Sequence, residues 1–559
     1  MDMEPPGHEP ISRNPQEGGP DEKETAFSPG WAGLFGKGPF PRNQDTYTAP
    51  SPVRQNLGSR RPSFLQRLGQ TPQRRGSAIV HNVQHISQRR KFILKLAKAL
   101  LSFGAPSHRI ESQLCAASQI LDAEADFVHL PNIVIVTIRS GDRRSTRTHF
   151  VRASGRVALT SLHKVHLIYR DVLHDRMSAD AGTEALRELL RAPTIYSLPL
   201  RCLLAFCCAS LICAIAFGGS VIDMWISGIC ASVLQYLGLN AANKSAMYAN
   251  VYEISVSIIV AFVARGLGNI PGELFCFSAI SSGGVVVILP GFTILISSLE
   301  LMSRNIFCGS VRMVYAIIYT LFLGFGLTIG SDFYFVLDRK ARHTYYQGFP
   351  QTFNYTHGQF SFTNGTGNFP IMGVLGQKLP SFRERNIVKG CFRDPSWPWW
   401  RLPFPWWTLF FMVPLYSLFS SLSNLQAVRS KQLPVMIIFS SCAYVANHAT
   451  SIVLPGRTDI VSAVGAFVLG TLGNIYSRVV RGTAFTSMVT GVLFLVPSGI
   501  AQGGGLTQTY HSSAEQYSGA FSLALRMISV AAGVTVGLFV SQVIVYLFGS
   551  RKNAAHFAF

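Results

Sequence analysis

The chain has 559 residues, 48% of them hydrophobic and only 14% charged. That is too apolar and too charge-poor for an ordinary soluble protein, and it points to a chain embedded in a bilayer. The formal net charge of +21 does not indicate a nucleic-acid partner, because outside the N-terminal part the basic residues fall mostly in short loops between apolar stretches, where they report topology.

Residues 1–88 are rich in Pro, Gly, Ser, Arg and Gln without a sustained hydrophobic period and read as a disordered tail. Ser63 and Ser77 each follow a pair of arginines, which allows basophilic phosphorylation but equally suits a solvated basic tail. Met1 to Pro6 lack the basic and apolar runs of a signal peptide, so insertion is expected at the first internal span, leaving the N-terminal part in the cytosol.

Residues 89–195 read as a small cytosolic α+β module. A helix from about Arg90 to Phe103 stops at Gly104-Ala105-Pro106, and the proline suits the start of a second helix. That second helix carries Ile110, Leu114, Ala117 and Leu121 on one stripe. The β-branched run Ile133 to Ile138 predicts a strand, with Thr146 to Arg152 as its partner. Leu162, Val165, Tyr169 and Val172 mark a third helix, and Ala181 to Leu190 a fourth.

From Leu198 onward, apolar stretches approach the roughly 20 residues that a bilayer core requires. The expected spans are 198–218, 221–240, 247–266, 273–290 and 309–330, then 404–423, 434–453, 459–476, 483–500 and 520–548. The domains follow: a first five-span half over 198–330, a lumenal or extracellular loop over 331–403, a second half over 404–550 and a cytosolic tail over 551–559. Only 10 of the 28 acids lie within 198–559, as expected where each buried charge costs several kcal/mol. Five is odd, so a repeated unit enters the bilayer the opposite way the second time. Inverted repeats of this kind build many secondary transporters.

The fourth span of each half ends in a proline-glycine break, Pro290-Gly291 in the first and Pro497-Ser498-Gly499 in the second. Interrupted helices at matching places are the best sequence pointer to a transport site. A kink or span end is the bland alternative, since proline is common in membrane helices.

With the N-terminus inside, cytosolic loops and tail carry Lys244, Arg304, Arg312, Arg429, Lys431, Arg478, Arg481, Arg551 and Lys552, against Arg265 and Arg457 in short outer loops. This fits the positive-inside rule. It also places the first break toward the cytosolic face and the second toward the outer face. Asn354 and Asn364 head glycosylation sequons in the outer loop. A third sequon at Asn243 falls in a cytosolic loop and reads as a chance match. The ten cysteines read as small packing residues rather than a disulfide framework, with Cys276 in a span and Cys391 in the long loop.

Among groups that could carry chemistry, Glu253 is the deepest carboxylate, about two turns into the third span. Asp223, Glu273 and Asp459 lie near outer span ends and Glu300 follows the first break. These four read equally as interface markers. An intramembrane ionisable residue is a candidate by default. Asn447-His448 lies inside the seventh span. The histidine suits proton exchange near neutral pH, or a hydrogen bond between helices. His163, His166, Arg170 and His174, with Asp171 and Asp175, could share a face of the module. A solvated polar face explains them as simply as a hydrolytic site. No catalytic, metal-binding or cofactor motif is present, and the absence of a Walker pattern argues against an ATP-driven pump.

The stretch Leu96 to Glu111 with Leu162 to His166 resembles the N-terminal domain of the threonine/serine exporter (ThrE) family, in the fungal branch called pheromone-regulated membrane proteins. Leu289-Pro290-Gly291 and Gly309 to Arg312 resemble its first membrane half. Gly465 to Gly470, Asn474 to Arg478 and Leu495 to Gly499 resemble its second. Ser498 departs from the family's Pro-Gly pair, and the loop over 331–403 looks like an addition. The resemblance implies a ten-span, gradient-driven exporter of small polar amino acids such as threonine and serine, in the plasma membrane or an endomembrane. Its partners would be the amino acid, protons and lipid, with a homo-oligomer compatible. Glu253 and His448 would couple protons, and the breaks would meet the substrate. Two other classes stay open: a non-transporting scaffold in mating or stress signalling, and a membrane-anchored hydrolase using the module.

Overall fold

The computed structural model describes residues 85–139, 146–153, 155, 157–240, 246–303, 305–347, 353–364, 367–378, 386–480, 483–502 and 513–548. Ser63, Ser77, the Asn243 sequon and the tail over 551–559 lie outside the described residues.

The N-terminal part is α+β. Helix α1 (Ile86–Ser102) begins inside the stretch expected to be tail, because His85 Nδ1 accepts from the Ser87 backbone N–H at 3.3 Å and caps it. It ends before Gly104, at φ 75°. Helix α2 (Ser107–Ile120) starts directly after Pro106. Strands β1 (Ala125–Leu130), β2 (Ile133–Arg139) and β3 (Thr146–Arg152) form an antiparallel meander in that order. Leu130 pairs with Ile133 across a two-residue turn at Pro131-Asn132, with Asn132 at φ 64°. Strand β1 was not expected. Val134, Val136 and Ile138 alternate inward and are buried. Helices α3 (Leu159–Leu173) and α4 (Ala179–Arg191) complete the core, with Phe92, Leu96, Ile110, Leu114, Val165 and Leu186 at its centre.

The apolar region contains α5 (Leu198–Phe217), α6 (Val221–Asn240), α7 (Ala246–Gly268), α8 (Phe277–Val285), α9 (Gly291–Met302) and α10 (Ile306–Leu337). After α11 (Arg339–Gln347) come a β4–β5 hairpin (Phe353–Asn364, Gly367–Lys378) and a short β6–β7 ladder (Ile387–Val388, Cys391–Phe392). Then follow α12 (Leu409–Ser423), α13 (Leu433–Val453), α14 (Thr458–Val479), α15 (Ala484–Gln502) and α16 (Ser513–Phe548). Among the described residues, six helices are long and apolar enough to cross a membrane: α5, α6, α10, α13, α14 and Phe521–Val545 of α16. The bent pair α8–α9 makes a seventh if it is one span. The other expected spans fall on α7, α12 and α15, outside that set.

The two breaks differ. At the first, a 3-10 turn (Val286–Ile288) follows α8, Leu289 is extended at ψ 131°, and α9 leaves at 56° to α8. A residue before proline is pushed out of the helical region, which explains the interruption. The span expected over 273–290 falls on α8 and the 3-10 turn, and a further helix, α9, follows the break. At the second, the expected break is absent: α15 runs through Pro497 and Gly499 without interruption. One lost backbone hydrogen bond is tolerated where neighbouring helices pack around the turn. Gly291 also lies against Val496. The two prolines therefore lie close together in the bundle.

The two sets of helices pack alike. In the first set α5 meets α6 and α8, α8 meets α6 and α7, and α10 meets α7 and α9. In the second α12 meets α13 and α15, α15 meets α13 and α14, and α16 meets α14 and α15. Counterparts also meet across the sets: α5 with α12, α9 with α15, and α10 with α16. The third and fifth helices approach through glycines in both cases. Gly326 and Gly330 of α10 sit on Ser257 and Ile258 of α7, while Gly533 and Gly537 of α16 sit on Asp459 and Ala463 of α14. Residues without a side chain at this spacing let helix backbones come close.

Candidate functional site

Breaking a helix inside an apolar bundle frees carbonyl oxygens that need donors. At the first break the donor is Tyr319 of α10, whose hydroxyl gives its proton to Ile288 O at 2.8 Å. The Glu253 side chain of α7 lies beside the same tyrosine. Glu253, Tyr315, Tyr319 and Phe322 line a cavity of ≈ 250 Å³. A phenol has one proton, and here Ile288 O takes it. Glu253 thus shares a cavity with the tyrosine that satisfies the break.

Two further acids of the first set, Asp223 and Glu300, are fully buried and hold the two ends of the interrupted helix pair. Asp223, in the first turn of α6, accepts from Arg393 Nη2 at 2.7 Å, from the Ser220 N–H at 2.9 Å and hydroxyl at 2.8 Å, and from the Cys276 N–H at 2.9 Å just before α8. Arg393 also donates to Gly218 O at 3.1 Å, and Lys389 Nζ to Ile215 O at 2.7 Å. Two cations so satisfy the last carbonyls of α5, where the helix dipole favours positive charge. A Cys276–Cys391 disulfide fastens the same segment. This corrects the expectation that those cysteines only fill space: the loop folds back on the end of α8, a pairing no spacing reveals.

Glu300, near the end of α9, accepts from the Ser107 backbone N–H at 3.1 Å, from the Ser107 hydroxyl and from Arg312 Nη1. Next to it, His129 Nδ1 lies 3.2 Å from Cys308 Sγ. Burial first, and then the Arg312 cation, lower the His129 pKa to about 4.

The remaining candidates are elsewhere. Asn447 Nδ2 donates to Val461 O of α14 at 3.4 Å. His448 is exposed and stacks on Tyr444 at 5.7 Å, which stacks in turn on Phe494. It is not brought to Glu253. Glu273 sits at φ 51° in the turn before α8, where Arg401 Nη2 donates to its carbonyl at 3.1 Å. Asp459 is exposed in the first turn of α14. Asn354 and Asn364 lie on β4, opposite Gln377 and Gly367. Arg265, expected in an outer loop, is buried in the last turn of α7, with its guanidinium 3.4 Å from the Phe277 ring centre.

The α+β part also meets the second set. Leu159 N–H donates to Asn424 O at 3.2 Å, the Ala427 N–H to Thr160 Oγ1 at 2.8 Å, and the Tyr196 hydroxyl to Gln426 O at 2.6 Å. His163 Nδ1 faces Gln432 Nε2 and Thr483 Oγ1 at 3.1 and 3.2 Å. The histidine face considered for hydrolysis is thus partly spent on packing, and Asp171 pairs with Arg170 at 3.5 Å. Reading for acids alone missed Tyr315 and Tyr319, whose signal was two phenols one turn apart within a span. It also missed Arg312, a cation counted only as a topology marker, and Arg393, which lies in the long loop.

These features define an integral membrane protein, helical throughout its apolar region, with a small α+β part seated against the bundle. The chain belongs to the threonine/serine exporter (ThrE) family, whose two models match residues 91–334 and 412–544. It is similar to pheromone-regulated membrane protein 10 of Saccharomyces cerevisiae (strain YJM789), 33% identical over 529 residues that cover 91% of this chain and 61% of the relative. The protein of that name in Eremothecium gossypii is 33% identical, covering 89% and 61%. That of Debaryomyces hansenii is 34% identical, covering 85% and 44%. The chain therefore spans about three-fifths or less of these relatives' length. No solved structure matches.

Proposed function

We propose that the protein is a secondary transporter that exports small polar amino acids such as threonine and serine, driven by a proton gradient through alternating access. Its spans number ten, as two inverted repeats of five. The α+β part and both termini lie in the cytosol, and the loop between the repeats lies in the lumen or outside, glycosylated at Asn354 and Asn364. The membrane is the plasma membrane or an endomembrane.

The observation that carries this reading is the cavity that Glu253 shares with Tyr319, the tyrosine whose hydroxyl satisfies Ile288 O at the break. Matching contacts in the two helix sets support the repeat. The Cys276–Cys391 disulfide supports an oxidising side for the loop. Family membership supports the substrate class. Glu253 carries the coupling proton, and the Pro290-Gly291 break receives the substrate's charged groups. Gly499, Pro497, Asn447 and His448 belong to the facing wall or to packing.

In proteoliposomes a pH gradient should accelerate serine or threonine flux. Glu253→Gln should leave flux that ignores the gradient, and Tyr319→Phe should weaken the response, while His448→Ala keeps it. Wild-type flux indifferent to the gradient would remove the coupling assignment. No flux of any amino acid would remove the transporter reading.

A further inference from the structure

Of the two acids that hold the ends of the interrupted helix pair, Asp223 is held by the loop through Arg393 and Glu300 by the α+β part. The partner of Glu300, Ser107, is the first residue of α2, in the α+β part. Both residues are 0% exposed. The attachment runs through a single oxygen: Oε1 accepts from the Ser107 N–H, the Ser107 hydroxyl and Arg312. Oε2 is buried and has no hydrogen-bond partner among the described residues.

Helix α9 is one helical segment from Gly291 to Met302. Glu300 is nine residues beyond Gly291, about 14 Å along the helix at 1.5 Å per residue. At its other end the helix has no continuous backbone ladder to α8, because Leu289 is extended. A helical segment without a backbone ladder at one end takes its direction from its packing on α10 and α16 and from where the other end is held. Shifting the Glu300 end swings Gly291 against Val496 and moves Ile288 O relative to Tyr319.

We propose that Glu300, with Ser107 and Arg312, is the positioning group for the site at the break. Through Ser107 the α+β part sets the direction of α9, and so the shape of the cavity that Glu253 and Tyr319 line. The functional consequence rests on the transporter reading; the mechanical one does not. The competing assignment is that Glu300 only anchors the α+β part. The two assignments differ in which segment loosens when the grip is removed.

The test uses the full chain in proteoliposomes, with hydrogen exchange and flux measured on the same samples. In Glu300→Gln and in Ser107→Ala, amides of residues 286–294 should exchange at least about tenfold faster than in the wild type, with those of α6 unchanged. The apparent KM for serine or threonine should rise severalfold, with the pH profile of flux retained. Arg312→Lys keeps a cationic donor and should stay within about twofold of the wild type. Should Glu300→Gln fail to fold, Ser107→Ala decides, since it keeps the backbone donor and the ion pair. Unchanged exchange at 286–294, with loosening confined to 107–120, would overturn the proposal. A wild-type chain without flux would refute the transporter reading instead, and the exchange result would still decide whether Glu300 positions α9.

Discussion

A methyl group placed on Gly291 would stand 2.8 Å from Val496 Cγ1, so the residue after the first proline touches the residue before the second. The contact joins α9 to its counterpart α15. A glycine is needed there because any side chain would enter the Val496 isopropyl group.

Gly291→Ala should accordingly push the two helices apart and cost about 1–3 kcal/mol, the range for overpacking. The far atom belongs to a side chain, so pairing it with Val496→Ala should recover most of the loss. Thermal unfolding of the purified single and double variants measures this. A double variant no better than Gly291→Ala would show that the contact is not the cause.

Gly330 and Gly537 face backbone instead. A methyl on Gly330 would lie 2.2 Å from Ile258 O, and one on Gly537 2.1 Å from Ala463 O. Backbone cannot step aside as a valine methyl can. Gly330→Ala and Gly537→Ala should each cost at least about 2 kcal/mol, by similar amounts. Unfolding in mild detergent compares them, and strongly unequal losses would count against equivalent roles in the two helix sets.

Asp223→Asn removes the charge that neutralises the buried Arg393 and should destabilise by about 3–5 kcal/mol, the cost of stranding one member of a buried pair. Replacing both, as Asp223→Asn with Arg393→Met, should restore part of it. Cys276→Ser alone should cost about 2–5 kcal/mol, matched in the wild type by reductant. Melting curves with and without reductant separate the two contributions.

His129 gives a pH dependence whose sign is determinate. Its folded pKa, about 4, lies below the ordinary 6.5. The neutral form is favoured in the fold, so this contribution is full above pH 6.5 and is lost as pH falls toward 4. The total is on the order of 3 kcal/mol at 1.36 kcal/mol per unit. Stability of the α+β seat should therefore drop between pH 6.5 and 4 and flatten in His129→Gln. Hydrogen exchange at 125–139 measures it, and an unchanged slope in the variant would disprove the assignment.

Much of the fold could be read locally. The periodicity of Ile110, Leu114, Ala117 and Leu121 marks α2, the β-branched run marks β2, and long apolar stretches mark most of the helices. Strand β1 escaped because Ala125 to Leu130 mixes acidic, basic and apolar residues without alternation. At the candidate site, Glu253 and Pro290-Gly291 were legible as an acid and an imino acid where neither is cheap. Their proximity was not, because Tyr319, which satisfies the break and lines the Glu253 cavity, comes from α10, more than sixty residues along the chain from Glu253.

Hydropathy and proline chemistry act within one turn or one span, so the sequence alone determined where most helices lie and that Pro290 and Pro497 each weaken one. Whether a proline breaks its span depends on neighbours that fill or replace the lost hydrogen bond. Only the tertiary structure could therefore separate Pro290 from Pro497. The same holds for the acids: Asp223 and Glu300 carry equal charge in the sequence, and only their distant partners Arg393 and Ser107 decide what each one holds.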